Sequence, residues 1–404
     1  MNPAFQSIYM VIQIVVYVVL LMATFYIFVF AVAGLFYKQS PYPKQLIIKR
    51  IAVLIPGYKE DAVILDVAKD ALAQDYPSGK YDVIIIADSF QPETVALLKD
   101  LPVKVIEVKF DKSTKSKALN KAMEQLPEIY DIAVVLDADN LMAADFLSKI
   151  NATFEQNYMA VQGHRTAKNM DTALAILDSV SEEINNHIFR KGHRVLGLSS
   201  AIIGSGMAFR YDFFKNMMST VTAIGGFDKE IELKMLKGSH KIAYLDDALV
   251  YDEKVQKAEV FSNQRRRWLS AQLHYFRQDI VSSFKALITH GNIDYFDKSV
   301  QFIQPPRILL LGAVIMSGIL FPLVNYIFNI AGLFNMLWIL VVALVVLAFL
   351  FSIPRSFYNI RTLKAMARLP GGMLLMLGSL LKIKGANKQF IHTKHSVVNP
   401  TPKQ

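Results

Sequence analysis

IAVLIPGYKE (51–60), YDVIIIADSF (81–90) and DIAVVLDADN (131–140) share one plan: a short apolar run, rich in β-branched residues, that ends on polar or acidic groups. Unbroken runs of this length read as strands buried on both faces. Helical patterns separate them at DAVILDVAKDALAQ (61–74), PETVALLKDL (92–101) and SKALNKAMEQL (116–126), and VKVIEVKF (103–110) adds a further strand. The alternation predicts an α/β fold, a mostly parallel sheet with helices on both faces. In such sheets ligands sit beyond the carboxyl ends of the strands. That rule points to Tyr58, Lys59 and Glu60 after the first strand, Asp88 after the second, and Asp137 with Asp139 after the fourth.

Outward from this block the chain becomes apolar. Ile8 to Phe36, Ile308 to Phe328 and Leu333 to Ile353 carry no charge, and about 20 apolar residues suffice to cross a bilayer. The first stretch is too long for a signal peptide and lacks a basic start. Lys38, Lys44, Lys49 and Arg50 follow it, Arg307 precedes the second stretch, and Arg355, Arg361, Lys364 and Arg368 follow the third. Basic flanks mark the cytosolic side, so the expected topology is a multi-pass protein of the plasma (inner) membrane, with its N-terminus outside and residues 38–306 and the C-terminus cytosolic. Leu369 to Leu381 is too short to span and reads as an interfacial or re-entrant segment. The expected units are a transmembrane helix over 1–37, a cytosolic α/β domain over 38–262, interfacial helices over 263–306, two transmembrane helices over 307–354 and a basic tail over 355–404.

Composition narrows the function. Of the 404 residues 53% are hydrophobic and 19% charged, below the roughly 25% of soluble domains. The net charge of +10 belongs to the C-terminal end: Asp297 is the last acid, and ten basic residues from Arg307 to Lys403 follow Lys298. This suits anionic headgroups, and without a basic face elsewhere no nucleic-acid partner is expected. The absence of cysteine excludes disulfides, iron–sulfur clusters and thiol nucleophiles. Without GxGxxG after the first strand or GxxxxGK[ST], a dinucleotide fold and a P-loop are disfavoured. The spans hold no ionisable group to couple ions, which argues against a transporter.

The polar segments each have two readings. Asp137 and Asp139 on one side of a strand repel unless a cation sits between them, and Mg²⁺ or Mn²⁺ with substrate phosphates suits such oxygens; an N-cap acid beside a surface acid is the alternative. Lys117, at a helix start, faces either a phosphate or solvent. Gly204-Ser205-Gly206 allows close backbone approach to a ligand, or makes a turn. Asp228 caps the helix beginning in GGFDKEIELKML (225–236) or acts as a base, with Glu230 beside it. NQRRRWLSAQLHYF (263–276) is an amphipathic helix that anchors at a membrane or binds a ligand.

In this order the segments resemble the membrane-integrated inverting glycosyltransferases of family two, the group of cellulose, chitin and hyaluronan synthases. IPGYKE is similar to IPxYNE, IIIADSF to the strand whose terminal Asp holds uracil, KSKALN to GKxxALN, LDADN to the DxD motif, and Gln264, Arg267 and Trp268 match QxxRW. The resemblance implies a GT-A type fold on a membrane base, with Mg²⁺ or Mn²⁺ as cofactor and a nucleotide-sugar donor, expected to be a UDP-sugar. It places Tyr58, Glu60, Asp88, Lys117 and Asp137 on the nucleotide and Asp139 on the metal. Gly204, Ser205, Gly206, Gln264, Arg265, Arg267 and Trp268 fall on the acceptor and UDP. Asp228, 36 residues before Gln264, takes the place of the base, with Glu230 as second choice. Two departures stand out: Phe227 occupies the Glu place of the usual Glu-Asp pair, and Asp88 is a single acid where relatives carry two. The expected function is extension of a polysaccharide, with export components as further partners, since three spans are few for a private channel. The alternatives are transfer of one sugar to a lipid or lipid-linked acceptor, and a catalytically inactive nucleotide-sugar sensor.

Overall fold

The computed structural model describes residues 3–43, 46–223, 225–330 and 332–382. Lys44 among the flanking cations, and Lys384, Lys388, Lys394 and Lys403 of the basic tail, lie outside them. The apolar runs form β1 (Ile51–Tyr58), β2 (Tyr81–Asp88), β3 (Lys104–Val108) and β4 (Ile132–Val135); β5 (Leu141–Met142), β6 (Ala160–Ala167), β7 (Met207–Arg210) and β8 (Ile242–Asp252) follow. They make one sheet in the order β3-β2-β1-β4-β7-β6-β8-β5. The half from β3 to β4 is parallel, as the sequence predicts. Beyond β4 the sheet is mixed, with β7 antiparallel to both β4 and β6, β6 parallel to β8, and β5 antiparallel to β8.

Strand alternation divides the core in two. Ala52, Leu54, Ile84, Ile86, Ala133 and Val135 face helices Lys115–Gln125, Tyr211–Met218 and Phe227–Lys237. Ile51, Val53, Ile55, Val83, Ile85 and Val134 face helices Ile64–Ala71 and Phe146–Thr153. Both faces are therefore covered, which explains why these strands are apolar without interruption.

Among the described residues three helices are long and apolar enough to cross a membrane: Ala4–Gly34, Arg307–Ile327 and Leu333–Ser352. They pack through small polar bonds and aromatic rings. Trp338 stacks on Phe321 at 5.0 Å and meets Tyr17 edge-on at 5.3 Å. Tyr9 donates to Asn325 Oδ1 at 2.8 Å, and Asn325 donates to Asn335 at 2.9 Å, so these amides are satisfied away from water. The helix carrying QRRRW runs from Ala258 to His290, starting ahead of the expected boundary at 263, and is followed by Ile293–Ile303.

A helix over Ala173–Asn185 continues through a π-helical turn, Asn186–Gly192, into His193–Val195. It joins the sheet to the first apolar helix. His187 Nε2 lies 2.8 Å from Ala31 O, His193 stacks on Phe30 at 3.7 Å, and Tyr26 donates to Asp297 at 2.7 Å. Gly192 sits so close to Phe30 that a Cβ there would lie 2.2 Å from the Phe30 carbonyl oxygen. A backbone oxygen inside a helix cannot swing aside, so Gly192→Ala is expected to cost about 1–3 kcal/mol by overpacking. The melting temperature of the purified variant measures this; an unchanged value would mean that the contact is loose.

Candidate active site

The parallel register sets the rim. Tyr58 pairs with Asp88 at the ends of β1 and β2. The β4 ladder stops at Val135, and Leu136 N bonds Leu54 O at 3.0 Å, which carries the chain onward beside β1. Ala138 then meets Gly57, where an added Cβ would lie 3.4 Å from Ala138 Cβ and 2.6 Å from the Phe90 ring. Tyr58, Asp88 and the Asp137–Asp139 segment thus share one edge. Lys59 (φ 55°) and Ser89 (φ 59°) are both in the left-handed region just past their strands, a conformation costing about 1–3 kcal/mol each that concentrates at functional sites. Lys59 N donates to Asp88 O at 3.1 Å and Ser89 Oγ to Asp88 Oδ1 at 3.0 Å, which holds the buried Asp88 carboxyl in place. The Lys59 ammonium lies 5.2 Å from the Tyr58 ring centre. Glu60 is buried, and its carbonyl accepts from Val63 N and Ile64 N at the start of the next helix.

The lysine at the acids is Lys115. Its Nζ lies 2.5 Å from Asp137 Oδ1, donates to Gly204 O at 2.7 Å, and sits 5.2 Å from the Phe227 ring centre. Lys117, the residue expected there, turns away and donates to Lys112 O at 3.0 Å. The reason is local: Thr114 caps the helix by accepting from Lys117 N at 3.2 Å, so the helix starts at Lys115.

Of the Gly-Ser-Gly turn, only Gly204 faces the acids. Ser205 is fully buried, accepts from Asp137 N at 2.9 Å and donates to Asn140 Oδ1. Gly206 O accepts from Gly163 N at 2.7 Å, and Gln162 Nε2 donates to both Ser205 O and Gly206 O. The bonds of Ser205 and Gly206 therefore go to the acid-bearing segment and to β6. Asp139 is 4% exposed; its Oδ2 accepts from Glu253 N at 3.3 Å, and the buried Lys168 donates to its carbonyl at 2.7 Å. Among the described residues no group of three or more His, Asp or Glu side chains is placed to hold a metal. Two carboxylates do fit Mg²⁺ or Mn²⁺, which bind through one or two carboxylates when phosphates supply further oxygens.

Asp228 stands on the far side of Gly204, where a Cβ would lie 3.8 Å from Asp228 Cγ. Gly204, bonded to Lys115 and with its open side toward Asp228, thus lies between the DxD segment and the start of helix Phe227–Lys237. The Asp228 side chain is 14% exposed, with Lys229 Nζ at 3.6 Å. Glu230 is occupied elsewhere: it accepts from Ala223 N at 3.0 Å and Thr222 N at 3.4 Å, and pairs with Lys234 at 2.7 Å. The QRRRW helix packs on the same helix start, since a Cβ on Gly226 would lie 3.0 Å from Ala271 Cβ, one turn beyond Arg267 and Trp268. Arg265 stacks its guanidinium 4.5 Å from the Trp268 ring centre and bonds Asp178, and burial lowers the pKa of Arg267. Gln264 lies on the same turn, partly buried.

A buried charge network that the sequence does not announce backs the rim. Asn140 Nδ2 donates to Asp252 at 3.1 Å, Asp252 pairs with Lys254 at 2.8 Å, and Arg165 pairs with Glu182 at 2.9 Å. Burial raises the Glu182 pKa, but Arg165, Lys254 and Arg190 outweigh it and hold that carboxyl well below the usual range. Asp252 is likewise raised by burial and held low by Arg165 and Lys254. Lys168 and Arg165 lie in a stretch with no clear periodicity, and Asn140 follows the two acids of LDADN; only the K-x-x-A-L-N spacing could have singled out Lys115 in advance.

A model of the family described as "Glycosyltransferase like family 2" matches residues 49–271. Beta-monoglucosyldiacylglycerol synthase of Nostoc sp. (strain PCC 7120 / SAG 25.82 / UTEX 2576) is 25% identical over 232 residues, which cover 54% of this chain and 48% of that protein. The chain thus spans about half the length of the curated relatives it matches first. Probable glycosyltransferase YdaM of Bacillus subtilis (strain 168) is 22% identical over 306 residues, 72% of this chain and 71% of that one. Among solved structures, the mannosyltransferase PcManGT from Pyrobaculum calidifontis, in complex with GDP-Man and Mn2+, is similar with a TM-score of 0.51 at 16% identity, covering 85% of this chain and 98% of that one. The fold is therefore GT-A-like, with a mixed sheet and, among the described residues, three helices long and apolar enough to cross a membrane.

Proposed function

The chain belongs to the glycosyltransferase like family 2, and from that premise we propose that it transfers a hexose from a nucleotide-sugar, with inversion, to a hydroxyl of a membrane lipid or lipid-linked acceptor. The observation that carries this reading is the continuity from Asp137 through Lys115 and Gly204 to Asp228, with the QRRRW helix on the same helix start. Tyr58 and Asp88 receive the base of the nucleotide, Tyr58 by stacking and Asp88 by hydrogen bonding. Lys115, Arg265 and Arg267 face the negative charge of the departing nucleoside diphosphate, the kind of electrostatic term that is usually largest in catalysis. Asp228 takes the proton of the acceptor hydroxyl as that oxygen bonds the anomeric carbon and the diphosphate leaves. One carboxylate suffices, because a diphosphate needs no protonation to depart; glycosidases, with poorer leaving groups, use two. Asp139, with Asp137 beside it, would hold Mg²⁺ or Mn²⁺, which would supply positive charge at the diphosphate.

The acceptor class is supported by the short apolar helix Leu369–Leu381, which lies against the QRRRW helix: Met376 clusters with Phe261, and Ser262 and Ser379 hydroxyls are 3.0 Å apart. Leu374, Leu377 and Leu381 remain exposed, so apolar surface continues past the site. Relatives named for glucosyldiacylglycerol synthesis agree with this acceptor. The proposed topology has the N-terminus outside and residues 38–306 cytosolic, in the plasma (inner) membrane. Extension of a polysaccharide, with export partners, is the second reading, favoured by the QRRRW motif. Sizing the product of a labelled UDP-sugar decides: one or two added sugars on lipid support the first reading, long polymer the second, and no product with any UDP- or GDP-sugar the inactive sensor. Asp139→Ala is expected to weaken UDP binding in Mg²⁺ by at least about tenfold and to leave metal-free binding unchanged. Calorimetric titration with and without Mg²⁺ checks this; equal affinities in wild type and variant under both conditions discard the metal site.

A further inference from the structure

On the rim opposite the acids, where β6 and β8 begin, the chain leaving the first apolar helix folds back on the globular part. It encloses a cavity of about 320 Å³ with Tyr37, Lys38, Tyr42, Tyr158, Arg194 and Tyr244 among its walls. Tyr37 donates to Tyr244 O at 2.8 Å, Gln39 Nε2 donates to Tyr42 Oη at 2.6 Å, and Tyr42 donates to Asp247 at 2.8 Å, so the wall is built and not a loose fold of loop. The Arg194 guanidinium donates to Tyr158 Oη at 2.9 Å and Leu198 O at 3.0 Å and lies 5.5 Å from the Tyr158 ring centre.

Two features identify what this cavity takes. The first is uncompensated positive charge. Two of the five N–H groups of Arg194 are used, and among the described residues it forms no ion pair; Lys38 there makes neither a hydrogen bond nor an ion pair. The neighbouring carboxylates have cations of their own: Asp246 has His164 and Lys191, and Asp247, which also accepts from Gln39 and Tyr42, has Lys149 at 3.6 Å. The second is an apolar lip. Leu35 and Phe36, just past the end of the first apolar helix at Gly34, are 52% and 69% exposed; Val195 and Leu196, just past Arg194, are 38% and 49% exposed. A polar, cationic interior with an exposed apolar lip at the end of a membrane helix matches an amphiphile with a negative head. A planar guanidinium fixed by its neighbours suits a phosphate in particular, and the volume is of the size that holds a small polar group.

We propose that this cavity binds the phosphate-bearing headgroup of an anionic phospholipid, with the acyl chains over Leu35, Phe36, Val195 and Leu196. The site is separate from the catalytic rim and does not depend on the acceptor being a lipid. The test uses the full chain in neutral detergent, with phosphatidylglycerol, phosphatidylcholine and inorganic phosphate as probes. Retained lipid is read by native mass spectrometry and affinity by titration. Wild type is expected to retain phosphatidylglycerol and to release phosphatidylcholine. Arg194→Gln and Lys38→Gln are each expected to lower phosphatidylglycerol affinity by about tenfold or more, while Lys99→Gln, an exposed lysine paired with Glu107 of the edge strand β3, leaves it unchanged. Melting temperatures identify a variant that fails to fold; Lys38, without a structural bond to lose, keeps the test sound if Arg194→Gln unfolds. Unchanged affinity in both variants, or an equal loss in Lys99→Gln, overturns the site. Displacement of the lipid by inorganic phosphate at concentrations equal to the lipid's own overturns the lipid and leaves a free-anion site.

Discussion

Replacing Asp228 by Asn is expected to lower turnover by about 10²–10⁴-fold, the usual worth of a general base, and to leave nucleotide binding intact. The substitution keeps the volume of the side chain and its place at the helix start, so the contact with Gly204 and the packing of Gly226 on Ala271 survive. It removes only the capacity to take a proton. The Asp228 side chain is within reach of solvent, at 14% exposure, and among the described residues no backbone amide donates to it. Glu230 is the natural control. Its carboxylate is spent on Thr222 N, Ala223 N and Lys234, so Glu230→Gln should loosen the 220–223 loop and change melting more than rate. Single-turnover product formation and calorimetric UDP binding separate the two outcomes. Full activity in the Asp228 variant, or a loss of turnover confined to the Glu230 variant at normal melting temperature, moves the base away from Asp228.

The parts of this molecule that the sequence reveals are those where local pattern and tertiary environment agree. β1, β2 and β4 are buried on both faces, so their apolar runs are continuous, and parallel pairing brings Tyr58, Asp88, Asp137 and Asp139 to one edge. The mixed half of the sheet is less legible because long-range pairing decides it. β6 reads AVQGHRTA, yet Gln162 and Arg165 are buried there, satisfied by the Gly204–Gly206 turn and by Glu182. Helix Ala173–Asn185 hides its periodicity for the same reason: Glu182 and Glu183 point inward and are paired by Arg165 and His164. A pattern that counts only apolar residues misses faces made of matched charge. The Gly-Ser-Gly turn shows the converse. Its composition suggests a ligand loop, but Ser205 and Gly206 serve the sheet, and only the bare Cα of Gly204 is turned to the acids.

Lys115 provides the sharpest contrast with a sequence neighbour. A helix turns about 100° per residue, so moving the helix start by one position decides which of two lysines, two residues apart, faces the rim. With Thr114 as cap, Lys115 projects onto Asp137 and Gly204 O, while Lys117 runs along the surface to Lys112 O. Lys115→Met preserves the apolar stem over the Phe227 ring and removes the charge. Asp137 then loses its cation, and the edge proposed to receive a diphosphate becomes more negative. Loss of one oriented cationic donor from such a site is worth about 10²–10³-fold, expected here in kcat/KM for the nucleotide-sugar. Lys117→Met should change kcat/KM by less than about twofold, since an exposed lysine bonded to a nearby carbonyl contributes little. Steady-state kinetics of both variants, with UDP affinity measured alongside, test the assignment directly. A larger loss in the Lys117 variant than in the Lys115 variant would return the phosphate contact to Lys117 and require the loop before the helix to rearrange when the donor binds.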